Sequence, residues 1–171
     1  MRIIGIDPGY AIVGYGVAEF DGLHFKTLGY GAITTNANTP FSQRLEAIYD
    51  DIITLIEKYK PDCMSIERLY FNTNTTTAID VAQARGVIVL AAKQKSIDIF
   101  EYTPLQVKQA ITGYGRAEKY QVMEMVKSLL NLPAVPKPDD TADALALTVC
   151  HGHSASSSWG KLNQSVKGNG K

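Results

Sequence analysis

Four acids in this chain stand where carboxylates are costly and therefore informative. Asp7 closes the short apolar run Arg2-Ile3-Ile4-Gly5-Ile6, and Glu67 closes Cys63-Met64-Ser65-Ile66. Asp140 and Asp143 open the otherwise nearly apolar stretch Asp140-Thr141-Ala142-Asp143-Ala144-Leu145-Ala146-Leu147. A carboxylate taken out of water without a partner costs several kcal/mol, a large share of a small domain's stability. Gathered in one place, four of them repel unless cations neutralise them. A ligand set made only of oxygen selects hard divalent ions such as Mg²⁺ or Mn²⁺. Two such ions about 4 Å apart are the usual apparatus for in-line displacement at phosphorus. Two of the acids also have plainer explanations: Asp7 could cap its own Pro8-Gly9 turn, and Asp140 the start of its helix. Capping leaves Asp143, expected as a buried charge in an apolar helix, unexplained.

Acids so far apart in sequence meet only if particular elements carry them. Residues 2–6 and 12–18 read as strands joined by the Pro8-Gly9 turn, and residues 25–33 as a third strand after Asp21-Gly22, which suggests an antiparallel meander. Thr39 is expected to cap a helix with Pro40 at its first position. That helix runs to about Tyr59, and Phe41, Leu45, Ile48, Tyr49, Ile52, Leu55, Ile56 and Tyr59 share one face. Residues 63–66 form a fourth strand, 76–95 a helix and 97–102 a fifth strand. Thr103-Pro104-Leu105-Gln106 has the form of a capping box opening a short helix to Ile111. Gly113-Tyr114-Gly115-Arg116 breaks the chain before a helix over 117–130. Pro133, Pro136 and Pro138 then exclude helix until Asp139, where a last helix runs to about His151. From Ser154 the composition turns to Ser, Gly, Asn and Lys, so the expected organisation is one domain over 1–153 and a disordered tail over 154–171.

With 171 residues and 45% hydrophobic composition the chain can bury a proper core. Its net charge is zero, but residues 1–62 carry −3 and residues 63–171 carry +3, which permits a basic face in the second part. Cys63 and Cys150 have neither metal-ligand nor redox spacing, as expected of a chain in a reducing cytoplasm. No charged start leads into an apolar signal core, and Gly86 to Ala92 is too short to span a bilayer, so no membrane association is expected. Lys108, Arg116 and Lys119 flank the glycine-rich break and are candidates for phosphate contacts. Tyr70 and Phe71 sit in a polar loop with no obvious core to enter. His151-x-His153, at a helix end before a loose tail, is expected to be exposed and without a role.

Taken together, Gly5-Ile6-Asp7-Pro8-Gly9, Gly14-Tyr15-Gly16, Ile66-Glu67-Arg68, Gln83-Ala84-Arg85-Gly86, Gln106-Val107-Lys108-Gln109 and Asp140-Thr141-Ala142-Asp143-Ala144-Leu145-Ala146 resemble, in order and over residues 1–153, the RuvC family of Holliday-junction resolvases. The resemblance implies an α/β, ribonuclease H-like fold with a five-stranded mixed sheet, three antiparallel strands then two parallel, flanked by helices. It implies a homodimer that cuts opposed strands of a four-way DNA junction. It implies two Mg²⁺ per active site, with Mn²⁺ able to substitute, held by Asp7, Glu67, Asp140 and Asp143. It also implies that Lys108 and Lys119 lie near the scissile phosphate, that Tyr70 stacks at the junction opening, and that RuvA and RuvB are partners. Three alternatives use the same residues: a binding module of this fold without hydrolysis, a nuclease for RNA or hybrids, and an actin-like ATPase, for which 171 residues are expected to be too few.

Overall fold

The computed structural model describes residues 1–69 and 75–156. The elements are β1 (Arg2–Asp7), β2 (Ile12–Phe20), β3 (Phe25–Thr34), α1 (Phe41–Tyr59), β4 (Cys63–Glu67), α2 (Thr75–Gln94), β5 (Asp98–Tyr102), α3 (Pro104–Thr112), α4 (Lys119–Leu129) and α5 (Asp139–Ser156). The sheet order is β3-β2-β1-β4-β5. β1 pairs antiparallel with β2 and β2 with β3, whereas β1 with β4 and β4 with β5 are parallel. This is the expected mixed sheet.

Alternation along the strands decides what each face of the sheet can hold. Ile4, Ile6, Val13, Val17, Met64 and Ile66 turn to one face and pack with Ile48, Ile52 and Ile56 of α1 and Ile88 and Ala91 of α2. The intervening positions turn to the other face, which α5 covers. There Ser65 Oγ donates to the Leu147 carbonyl oxygen at 2.8 Å, and Thr148 Oγ1 lies 3.0 Å from the Gly16 carbonyl oxygen. α3 and α4 complete this second core through Val107, Ile111, Val122 and Val126 against Leu145 and Val149.

The approach of α5 to the sheet depends on missing side chains. A Cβ on Gly5 would stand 2.1 Å from the Ala144 carbonyl oxygen, and one on Gly14 only 1.9 Å from that of Asp140. Helix backbone therefore rests directly on strand backbone at the sheet centre.

Most boundaries fall as the sequence predicts, and the exceptions have local causes. Thr103 accepts from the Gln106 amide at 3.1 Å while Gln106 Oε1 accepts from the Thr103 amide at 2.8 Å, so the capping box forms. Thr39 does not cap α1. Its amide is spent on a turn to the Asn36 carbonyl, and extended Pro40 is the cap residue, with no side-chain cap bond. α4 starts later than expected, at Lys119, because Glu118 and Gln121 form a reciprocal cap there. α5 continues past His151 to Ser156, where Ser154 Oγ donates back to the Cys150 carbonyl. Residues 157–171 of the expected tail lie outside the described residues. Among the described residues no helix is long and apolar enough to cross a membrane.

His151 departs most from expectation, since it is buried rather than exposed. Its Nδ1 is 2.8 Å from the Tyr102 hydroxyl and its ring lies 4.3 Å from that of Phe100, between α5 and β5. Helical spacing turns His151 inward onto the sheet, which a reading of the helix end alone misses. Burial pushes its pKa down from 6.5 to about 4. The unfolded chain therefore takes up this proton first as pH falls. The stabilisation is complete above pH 6.5 and is lost towards pH 4, a change of about 3 kcal/mol. In chemical denaturation, His151→Gln should lack that part of the acid slope, other groups cancelling in the comparison. Identical slopes for the two proteins between pH 6.5 and 4 would remove His151 as its source.

Candidate active site

Parallel pairing brings the first two acids side by side. Ile6 is in register with Ile66, so Asp7 and Glu67 end adjacent strands at the same edge and on the α5 side of the sheet. The first turn of α5 lies over this edge because Gly14, the register partner of Asp7, admits the Asp140 carbonyl. Asp140 and Asp143, one turn apart, complete the group. The positive end of the α5 dipole favours both.

The charges report on one another. Burial first, then repulsion from Asp143, Glu67 and Asp140 in that order, raises the Asp7 pKa to about 7, against a smaller opposing pull from Lys119. Glu67 is pushed up by burial and then by Asp143. Asp143 is pushed up by burial while Lys119 works against the rise. Asp7 is thus the hub, feeling all three of the other acids. Asp143 corrects one expectation: its side chain keeps 34% of its surface exposed rather than being buried. It turns towards Lys119, whose Nζ is 3.1 Å from Asp143 Oδ2 and 3.5 Å from Asp139 Oδ2. Burial disfavours the Lys119 ammonium, but its bond and attraction to Asp143, with Asp139 beside it, outweigh that and hold its pKa up.

The donor chemistry fits a hard divalent cation: oxygen only, mutually repelling, and partly desolvated. Among the described residues no three His, Cys, Asp or Glu side chains are close enough as placed to hold an ion between them. The four acids are therefore electrostatically coupled but not drawn into a closed ligand set.

Of the residues expected to meet a phosphate chain, Lys119 joins the cluster, Lys108 is partly exposed on α3, and Arg116 is exposed in the connection between α3 and α4. Tyr70 and Phe71 lie outside the described residues. Two supporting arginines, one of them in the quoted Gln83-Ala84-Arg85-Gly86 motif, were given no role by the sequence reading. Arg85 on α2 donates from Nε to the Glu67 carbonyl oxygen at 3.3 Å and pairs with Glu101 at 2.6 Å, fixing the end of β4. Its signal was available, for Arg85 is the one charged residue between Asp80 and Lys93. Arg44 is buried on α1, donates from Nε to Thr35 Oγ1 at 2.8 Å and lies 3.6 Å over the Tyr10 ring, holding the turn that follows Asp7.

Comparison with known proteins places this geometry among relatives. The family model described as crossover junction endodeoxyribonuclease RuvC matches residues 3–151. The chain is 60% identical over 154 residues to the crossover junction endodeoxyribonuclease RuvC of Ruminiclostridium cellulolyticum, covering 90% of this chain and 93% of that one. Against the protein of the same description from Alkaliphilus metalliredigens it is 59% identical over 154 residues, covering 90% and 94%. Among solved structures, Thermus thermophilus RuvC superposes with a TM-score of 0.85 at 32% identity, covering 91% of this chain and 95% of that one. The same protein in complex with a Holliday junction substrate gives 0.85 at 29% identity, covering 93% and 98%.

Proposed function

The chain belongs to the RuvC family of crossover junction endodeoxyribonucleases, and on that footing we propose that it resolves four-way DNA junctions by hydrolysing one phosphodiester at each of two carboxylate clusters in a homodimer. It has the ribonuclease H-like fold of that family and is a nuclease. The coupling of Asp7 to Glu67, Asp140 and Asp143 carries the mechanistic reading.

A phosphodiester resists water, so its hydrolysis needs an activated nucleophile and relief of the charge that builds on the phosphate. Asp7, Glu67, Asp140 and Asp143 would hold two Mg²⁺ ions, or Mn²⁺ in their place, which would supply both the nucleophile and the relief of charge. The chain's own residues do the rest. β1 and β4 hold Asp7 and Glu67 in register, Arg85 fixes the backbone at Glu67, and α5 carries its two acids as one rigid unit. Lys119, already beside Asp143, meets the bound phosphate and balances its negative charge. Lys108 and Arg116 hold adjoining phosphates. Tyr70 stacks on a base at the junction opening, as the family resemblance implies.

A twofold assembly suits two symmetric cuts. On α2, Ile79 and Leu90 are exposed, Gly86 between them has open space above it, and all three fall on one stripe of the helix. That face supports an isologous contact with a second copy. RuvA and RuvB are the proposed further partners, and the cytoplasm the proposed compartment.

The test is cleavage of one labelled set of substrates with Mg²⁺ and with chelator. A four-way junction should be cut at paired positions with Mg²⁺ alone, while linear duplex and RNA–DNA hybrid stay intact. Preferential cutting of the hybrid, or junction binding with no cutting, would favour the hybrid-nuclease or binding-module reading instead.

A further inference from the structure

We infer that Tyr114 and Tyr120 form an aromatic platform that receives unstacked nucleobases of the strand being cut, a role that rests on the junction-nuclease reading above. Both rings are presented to solvent, Tyr114 at 59% and Tyr120 at 67% exposure, and Leu105, 63% exposed, lies against Gly115 next to Tyr114. Three large side chains so exposed, Leu105 in the first turn of α3, Tyr114 in the connection that follows and Tyr120 in the first turn of α4, call for a partner beside an active site.

Charge identifies the partner. Along residues 114–120, exposed Arg116 and Lys119 lie between the two rings, with exposed Glu118 the one acid among them, and Lys119 itself reaches Asp143. Cations set among exposed aromatics match a single nucleic-acid strand, whose phosphates take the cations while its bases stack on the rings. Lys119 is already paired with Asp143 and Asp139, but a protein partner with an apolar surface would leave exposed Arg116 facing no negative charge. At a four-way junction the bases next to the crossover are the ones that leave their stack most cheaply.

The support beneath the rings is stiff. Gln109 Nε2 donates to the Gly113 carbonyl oxygen at 2.8 Å, and the Tyr114 carbonyl accepts from Thr112 Oγ1 at 3.0 Å and from the Ala117 amide at 3.1 Å. Ala117 is buried in the second core, and the Glu118–Gln121 cap fixes the first turn that bears Tyr120. The rings are thus held ready, and little ordering entropy is spent when a base arrives.

The test uses the full chain, a fluorescent four-way junction with 2-aminopurine at positions flanking the cut, and Ca²⁺ in place of Mg²⁺ to hold the complex uncut. Tyr120→Ala and Tyr114→Ala should keep the wild-type melting temperature, since both side chains are exposed. Each should weaken junction binding about tenfold and lose 2-aminopurine quenching at one flanking position, whereas Tyr120→Phe should retain both. Alanine variants with wild-type affinity and quenching would overturn the platform while leaving the nuclease reading intact. A phenylalanine variant as weak as the alanine one would replace stacking by a hydroxyl contact and overturn it too. Failure of the wild-type protein to bind the junction at all would instead sink the nuclease reading on which the platform rests.

Discussion

Asp7→Asn is expected to end junction cleavage while making the metal-free protein more stable. Removing the acid at the centre of the proposed metal site should take away several kcal/mol of transition-state stabilisation, a loss of about a thousandfold or more in rate. The stability gain follows from the raised pKa. Burial and the acids around it lift Asp7 from 3.8 to about 7, so the folded chain holds this proton more tightly than the unfolded one. At pH 8 the group is ionised in both states, and the fold bears the full cost of that charge, on the order of 2–4 kcal/mol. As pH falls through 7 towards 3.8 the cost fades. In thermal melts with chelator, the asparagine variant should therefore melt well above wild type at pH 8, with the gap closing near pH 4. An equal or lower melting temperature at pH 8 would mean that Asp7 is not held among like charges. Added Mg²⁺ should raise the wild-type melting temperature more than that of the variant.

Gly14→Ala is expected to lower cleavage roughly a hundredfold while leaving junction affinity nearly unchanged. The new Cβ would stand 1.9 Å from the Asp140 carbonyl oxygen and 2.3 Å from its carbon, where ordinary contact begins at 3.4 Å. Both neighbours are backbone, so no rotamer change gives relief. α5 must lift by more than an ångström at the very turn that carries Asp140 and Asp143. Displacements of that size in a catalytic arrangement cost about 10²-fold, and overpacking of this kind destabilises by about 1–3 kcal/mol. Single-turnover cleavage and anisotropy binding separate the two effects. Cleavage within twofold of wild type would show that the seat of α5 on the sheet does not set the position of its acids.

The strands and their acids were legible because alternation and charge speak together. Asp7 and Glu67 each follow an apolar run, and parallel strands in register leave such terminal residues side by side. The Thr103 capping box was legible for a similar reason, its partners lying three residues apart. What stayed hidden depends on contacts across long sequence separations. Nothing near Thr39 announces that the Asn36 carbonyl takes its amide and leaves Pro40 as the cap. His151 looked like a free helix end because Tyr102, its partner, belongs to β5. Asp143 was expected to be buried from the apolar character of its helix, but Lys119 approaches from α4 and draws it towards solvent. Gly5 and Gly14 read as strand residues beside a turn, although their larger consequence is the seat they give α5.

The convergence of the four acids on divalent ions is best decided by titrating Mn²⁺ into the wild-type protein and into Asp7→Asn and Glu67→Gln, each bound to a junction with uncleavable linkages, and following free ion by electron paramagnetic resonance. Wild type should take up Mn²⁺ at the cluster, and each variant should bind it at least about tenfold more weakly. Equal uptake by all three proteins would strip these carboxylates of their part as ligands.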